Sequence, residues 1–242
     1  MPVTVEQQTE TLTLLKGLTI CGQAFFFFMK RNAYGMELRN GRAVKKTLKG
    51  WRKMYYTKND FIDTAGQEEL ECIAQARKLT RMYYETDYKD TEKRHSILNR
   101  LFGSIGEDVA IDTPFHCNYG KNIFIGSHVI ININCTFVDD KEIRIGDYVL
   151  IASNVQIYTA SHPVLPQERL DFDAAHRQVP FFRTFALPVE IQNNVWIGGG
   201  SIILPGVTIG ENSVIGAGSI VTRSVPPNCV AFGNPCRVMR QL

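Results

Sequence analysis

His162 is the residue of this 242-residue chain whose type and setting first suggest chemistry. It stands in Thr159-Ala160-Ser161-His162-Pro163. A neutral imidazole near pH 7 can take the proton from a hydroxyl as that oxygen attacks an electrophile. Residue type alone does not assign the role, because a His before Pro in a loop is commonly a surface or capping residue. Metal ligation is a second chemistry to weigh, through His116, His128 and His162 or through Cys21, Cys72, Cys117, Cys135, Cys229 and Cys236. No two of those histidines are spaced to face one ion, and the thiols lack the close C-x-x-C pairs of zinc sites, so no metal is expected. The cysteines read as reduced thiols of a cytoplasmic protein, in a chain long enough to bury a core without disulfides.

The setting of His162 follows from a period. Ile191, Ile197, Ile203, Ile209, Ile215 and Val221 fall six residues apart, and the residues four places after each are Val195, Ser201, Val207, Ser213, Ser219 and Val225. The same period links Ile145, Ile151 and Ile157, then Ile125 and Ile131, then Ile105 and Ile111. A helix repeats near 3.6 residues and a strand at 2. Six residues make one short side and a corner, and three sides make a triangular coil of about 18 residues, the unit of a parallel β-helix. Inward aliphatics then stack on their equivalents roughly 4.8 Å away. No coil buries its own inner face, so several must stack. One break in phase is expected: Ile157 and Ile191 lie 34 residues apart. An excursion therefore leaves the coil between about Tyr158 and Pro188, with His162 at its root, where solenoids tend to carry function. Pro226 and Pro227 are expected to end the repeat, since proline supplies no ladder N–H.

Upstream the pattern changes. Cys72, Ala76, Leu79 and Tyr83 share one helical face. Asp90 can cap a second helix carrying Ile97, Leu98, Leu101 and Phe102, with Gly103 at its end. Residues 30–53 hold nine basic residues against Glu37, whereas 54–242 carry a net charge of −4, so the overall +3 belongs to an appended arm. The block lacks a nucleic-acid-binding motif and reads as a solvated charged face, so no nucleic-acid partner is expected. The apolar run Leu12 to Met29, with Phe25 to Phe28, is interrupted by Lys16 and Gln23 and preceded by Glu6 and Glu10. It falls short of the roughly 20 residues that span a bilayer, so membrane attachment through 12–29 is not expected. Three regions result: a basic extension over 1–53, a helical segment over 54–103, and a β-helix over 104–242 with a protruding loop at about 158–188. With 44% hydrophobic and 21% charged residues, disordered and collagen-like chains are excluded.

Several motifs then occur in a fixed order: Asn132-Ile133-Asn134-Cys135-Thr136-Phe137-Val138-Asp139-Asp140, Thr159 to Val164, Asn194-Val195-Trp196-Ile197-Gly198-Gly199-Gly200, Pro205 to Gly210, Ile215 to Ser219, and Gly233 to Arg240. Leu101 to Gly106 and Pro114 to Gly120 extend the set upstream. Together, over roughly 54–242, they resemble the hexapeptide-repeat sugar O-acetyltransferases, nearest the maltose and galactoside O-acetyltransferases and the related nodulation acetyltransferases. The resemblance implies a mainly β protein, a left-handed parallel β-helix assembled as a homotrimer. It further implies direct acetyl transfer from acetyl-CoA to a hydroxyl of a sugar or similar small acceptor, with no acyl-enzyme. On that resemblance His162 is the general base. A backbone N–H near Gly199 faces the developing oxyanion, a contribution of about 3–4 kcal/mol in other enzymes. Asn118, Asn132 and Asp140 match acceptor contacts. Trp196, Ala217, Thr222, Arg223, Arg237 and Arg240 match coenzyme A contacts, and arginine suits its phosphates.

The chain also departs from the family pattern. The acidic acceptor contact that the family has near the start of its helical segment is matched best by Asp63, with Asp60 second. The excursion is longer than usual and carries Phe172, Phe181, Phe182 and Phe185 with Arg169, Arg177 and Arg183. It could cover the acceptor or pack on a neighbouring subunit. Two alternatives stay open on the residues alone: a catalytically idle β-helix scaffold, and a zinc-dependent lyase of the carbonic-anhydrase type.

Overall fold

The computed structural model describes residues 36–39, 42–45, 56–64, 66–170 and 182–242. Met36–Arg39 and Arg42–Lys45 form an antiparallel hairpin, in a unit separate from the one spanning Tyr56–Leu242. The apolar run 12–29 and most of the basic block lie outside the described residues, as do Phe172, Arg177 and Phe181.

The larger unit is a triangular parallel β-helix. Its first side stacks Ser104–Ile105, Ile123–Ile125, Ile143–Ile145, Val189–Ile191 and Thr208–Ile209. The second stacks Ala110–Ile111, Ile130–Ile131, Leu150–Ile151, Trp196–Ile197, Val214–Ile215 and Cys229–Gly233. The third stacks Phe115–Cys117, Cys135–Val138, Gln156–Tyr158, Ile202–Ile203 and Ile220–Val221. All these pairings are parallel. The aliphatic residues of the six-residue period point inward: Ile151, Ile157, Ile197, Ile203, Ile209 and Ile215 are fully buried. Each such side chain withdrawn from water favours the fold by about 1.5–3 kcal/mol.

The corners are built from left-handed residues. Asp108, His128, Tyr148, Asn194, Asn212 and Asn228 all have positive φ at the corner between first and second sides. Asn194 Nδ2 donates to Asn212 Oδ1 (2.9 Å) and Asn212 Nδ2 to Asn228 Oδ1 (2.8 Å), so the asparagines form a ladder. Asn is the side-chain-bearing residue that best tolerates this region. At the next corner, Gly198 lets two coils close: a Cβ there would sit 2.5 Å from the backbone N of Ala217.

The phase differs from the single break expected. Ile105, Ile125 and Ile145 are ladder partners 20 residues apart, whereas Ile191 and Ile209 are 18 apart. The two additional residues of each early coil lie at the third corner, between third and first sides. The long excursion leaves from that same corner. The end of the repeat differs too. Cys229–Gly233 pairs in parallel with Val214–Ile215 beyond Pro226 and Pro227. Both prolines sit at a corner, with Pro227 against Gly210, where no ladder N–H is required. The coil stops when Cys236–Gln241 turns back antiparallel on Cys229–Gly233.

Two helices close the other end: α1 (Gln67–Glu85) and α2 (Thr91–Leu101). Ala76, Leu79, Tyr83, Ile97, Leu98 and Leu101 are buried, and Asp90 caps α2 by accepting from Lys93 N at 3.1 Å. Gly103 is not a left-handed cap. It allows close approach instead, since a Cβ there would lie 2.5 Å from the Lys121 carbonyl. The guanidinium of buried Arg94 donates to the carbonyls of Tyr83, Thr86 and Ile111 and lies 3.9 Å from the Tyr83 ring centroid, which pins both helices to the first coil. Truncating a fully buried rung should open a cavity. Ile151→Ala is expected to lower unfolding free energy by about 2–5 kcal/mol in urea titrations, against under about 0.5 kcal/mol for an exposed control such as Glu190→Gln.

Candidate functional site

The third corner gathers the polar side chains. Ala160–Ser161 leaves it and pairs antiparallel with the returning strand Thr184–Ala186, which pairs in turn with Phe61–Ile62. Tyr56 stacks on Phe185 (ring centroids 3.9 Å) and meets Phe61 edge-on, giving this small sheet an aromatic backing. His162 directly follows the first strand. Its Nδ1 lies 3.0 Å from the Arg183 carbonyl and 3.4 Å from Thr184 Oγ1. A carbonyl only accepts, so Nδ1 carries the hydrogen and Nε2 keeps its lone pair. The backbone of the excursion thereby sets the tautomer a general base needs.

Below His162 lie Asp139, Asp140 and Asn118. Asp140 Oδ2 accepts from Asn118 Nδ2 at 3.1 Å. Burial pushes the Asp140 carboxyl above its ordinary range, while the hydrogen bonds from Asn118 and from its own backbone, and the nearby His162, pull the other way. Asp139 is fully buried, and its Oδ1 accepts from the backbone N–H groups of Asn118 and Tyr119, both at 2.9 Å. Burial raises its carboxyl to about 6, against those two hydrogen bonds. Thr159, also fully buried, donates to the Val138 carbonyl (2.8 Å) and accepts from Lys141 N (2.9 Å). Reasoning from motif alone did not single out Asp139, Thr159 or the Arg183 carbonyl. The signal for the first two is the 14-residue gap from Ile111 to Ile125, repeated from Ile131 to Ile145, which marks this corner as enlarged.

The other expected residues fall elsewhere on the protomer. Asn132 stands at the second corner, between second and third sides, where its Oδ1 accepts from Ser153 Oγ at 3.4 Å. Neighbouring Asn134 is a turn residue with φ 62°. Gly199 and Ala217 occupy one column of that corner, next to Gly200 and Gly218, where a Cβ would meet nothing within 4 Å. Small residues thus line that column, with open space beside Gly200 and Gly218. Trp196 projects outward, half exposed, in the row Ala110, Ile130, Leu150, Trp196, Val214 and Val230 on the second side. Arg240 pairs with Val230 at the end of that row, and Arg237 with Phe232. Thr222 and Arg223 are exposed after the last strand of the third side. Asp60 is committed to a capping box with Thr57, whose hydrogen bonds hold its carboxyl below the ordinary range. Asp63 instead follows Phe61–Ile62, in register opposite Arg183. Thus within one chain His162, Asn118, Asp140 and Asp63 belong to one corner, and Asn132, Gly199 and Ala217 to another.

Among the described residues no three His, Cys, Asp or Glu side chains are grouped to hold a metal, and no helix is long and apolar enough to cross a membrane. His116 lies on the third side, His128 at the first corner and His162 in the excursion. Described cysteines Cys72, Cys117, Cys135, Cys229 and Cys236 are unpaired.

Comparison with known proteins matches this geometry. Residues 188–223 fit the family model "Bacterial transferase hexapeptide (six repeats)". The galactoside O-acetyltransferase of Escherichia coli (strain K12) is 46% identical over 153 residues, covering 63% of this chain and 70% of that protein. A crystal structure of a maltose O-acetyltransferase from Clostridium difficile 630 superposes with a TM-score of 0.68 at 43% identity, covering 75% of this chain and 92% of that one. A galactoside acetyltransferase in complex with coenzyme A has the same TM-score at 39% identity, covering 75% and 86%.

A pH test follows from Asp139. Its carboxyl takes a proton in the folded state near pH 6 but in the unfolded chain only near 4, so between those values the folded state binds more protons and stability rises as pH falls. Urea midpoints should therefore shift in favour of the wild type over Asp139→Asn as pH is lowered from 7 to 5. A gap that does not change with pH would contradict this assignment.

Proposed function

Because the chain belongs to the maltose and galactoside O-acetyltransferase family of left-handed β-helix acyltransferases, and is an acetyl-CoA-dependent acetyltransferase, we propose that it acetylates a hydroxyl of a sugar or similar small acceptor with His162 as general base. The carrying observation is the His162 Nδ1 contact to the Arg183 carbonyl, which leaves Nε2 as the proton acceptor. Acetyl-CoA supplies the thioester. Nε2 takes the hydroxyl proton as the acceptor oxygen attacks the acetyl carbon, and the proton then passes to the departing thiol sulfur. Asn118 has a second amide hydrogen and its carbonyl, and Asp140 a second oxygen, for hydroxyls of the acceptor. Asp63, the nearer match to the family's acidic acceptor contact, completes the set.

The acceptor corner and the strip of Gly199 and Ala217 lie a full side of the triangle apart, so one protomer does not hold a complete site. A homotrimer resolves this by setting the third corner of one subunit against the second corner of the next. Asn132, Trp196, Gly199, Ala217, Thr222, Arg223, Arg237 and Arg240 then serve coenzyme A or the acceptor from across the boundary. The outer rows of the three sides support the assembly. The first is mixed, with Ser104, Phe124, Arg144, Glu190 and Thr208, and so is the third, with His116, Thr136, Gln156, Ile202 and Ile220, whereas the second exposes Ile130 (48%), Leu150 (38%) and Trp196 (50%). A continuous apolar row of this kind marks a subunit contact. Unpaired thiols accord with the cytoplasm. The acetyltransferase relatives displace both the idle-scaffold and the zinc-lyase alternatives.

Two measurements test the proposal. Thiol release from acetyl-CoA should depend on an acceptor when maltose, simple galactosides and other sugars are supplied. His162→Ala should then lower kcat by about 10²–10⁴-fold, and full activity in that variant would defeat the base assignment. Light scattering should give three times the 27.4 kDa chain mass, and Leu150→Arg should shift it toward monomer with loss of activity. A monomeric wild type would overturn the shared site.

A further inference from the structure

We propose that Asp139 is a positioning residue of the acceptor subsite: its buried carboxylate holds the main chain of Asn118 while Asp140 holds the Asn118 side chain. The inference rests on reading Asn118 and Asp140 as acceptor contacts. Asn118 is held at two points by consecutive acids, its backbone N at 2.9 Å from Asp139 Oδ1 and its Nδ2 at 3.1 Å from Asp140 Oδ2. The Asp139 carbonyl also accepts from Asn122 Nδ2 at 2.7 Å, so one residue ties both ends of the turn from Asn118 to Asn122.

The reason lies in the enlarged corner. Elsewhere a corner N–H finds a carbonyl one coil away, as Asn134 N does with the Pro114 carbonyl at 2.8 Å. The added residues carry the amides of Asn118 and Tyr119 out of that ladder, and a side chain replaces the carbonyl. Tyr119, Asp139 and Thr159 occur at 20-residue intervals, and Thr159 does for Lys141 N what Asp139 does for Asn118 and Tyr119. The stretch carrying His162 thus clamps the corner of Asp140, and that corner clamps Asn118. A fully buried carboxylate with one oxygen, Oδ2, lacking a hydrogen-bond partner among the described residues is costly, which fits a group retained for what it holds. Asp140 and the thiol of Cys117 are the titratable groups coupled most directly to it, with the Tyr119 phenol beyond.

The test compares Asp139→Ala, Asp139→Asn and Asn118→Ala, with maltose and methyl β-galactoside as acceptors and each KM measured separately. Asp139→Ala should raise the acceptor KM at least about tenfold and leave the acetyl-CoA KM within about twofold. Asp139→Asn keeps an oxygen able to accept both N–H groups and should return within about threefold of wild type. An unchanged acceptor KM in the alanine variant, a parallel shift of both KM values, or no rescue by asparagine would overturn the inference. Should the alanine variant not fold, Asp139→Asn carries the test. Any excess of its acceptor KM over wild type at pH 8 should shrink by pH 5.5, because wild-type Asp139 is then largely neutral too, and an excess above about threefold that persists at pH 5.5 counts against the role. Amide exchange at Asn118 and Tyr119 gives a readout needing no acceptor, faster in the alanine variant, and unaltered protection there is a negative result. If Asn118→Ala leaves the acceptor KM alone, the acceptor-contact reading itself fails. A rise there with none in Asp139→Ala sinks the positioning role only.

Discussion

The vertical stacking of inward side chains governs everything else in this molecule. Each side of the triangle must place its aliphatic residue above the one before it, because a coil has no buried face of its own. Sides therefore cannot change length. Any residue added to a coil has to be expelled where the chain turns. Here the additions collect at one corner: two residues in each early coil, then the whole segment around His162. The corner least bound by the stack is thereby the one free to carry polar chemistry.

That freedom has a cost, since a residue expelled from the stack leaves backbone groups without their ladder partners. The chain answers with buried side chains and returning strands. Asp139 and Thr159 stand in for missing carbonyls, and the Arg183 carbonyl receives the His162 ring nitrogen. The hydrogen bonds that hold the corner and the one that orients the His162 ring consequently belong to one network. The order imposed on the protruding backbone is the order imposed on the imidazole, so a separate carboxylate partner for His162 is not required to fix its tautomer.

The solenoid was legible because its period is strict from Ile191 to Val221, and the six aliphatics in phase, Ile191, Ile197, Ile203, Ile209, Ile215 and Val221, are all buried. Helix faces were legible as well, with Ala76, Leu79 and Tyr83 all in the core. What a six-residue template hides is the 20-residue coil, since its extra residues are polar and sit outside the aliphatic columns. For the same reason Asp139 looked like half of a motif rather than a buried clamp. The prolines misled in the opposite way. Pro226 and Pro227 lack a ladder donor, yet a corner does not ask for one. Sequence also could not show that Asn132 and Asp140, eight residues apart, face different corners. Only the topology separates them.

The closing strand has a consequence for the size of the particle. A parallel coil presents at its last turn an edge of unpaired N–H and carbonyl groups that a second molecule could copy, extending the stack without limit. Cys236–Gln241 runs against the direction of every strand beneath it, and it ends in the exposed, charged stretch holding Arg237 and Arg240. A further coil of the same hand finds no matching register there. With α1 and α2 covering the opposite end, the second side of the solenoid does not offer at either end the regular parallel edge that a further coil would copy.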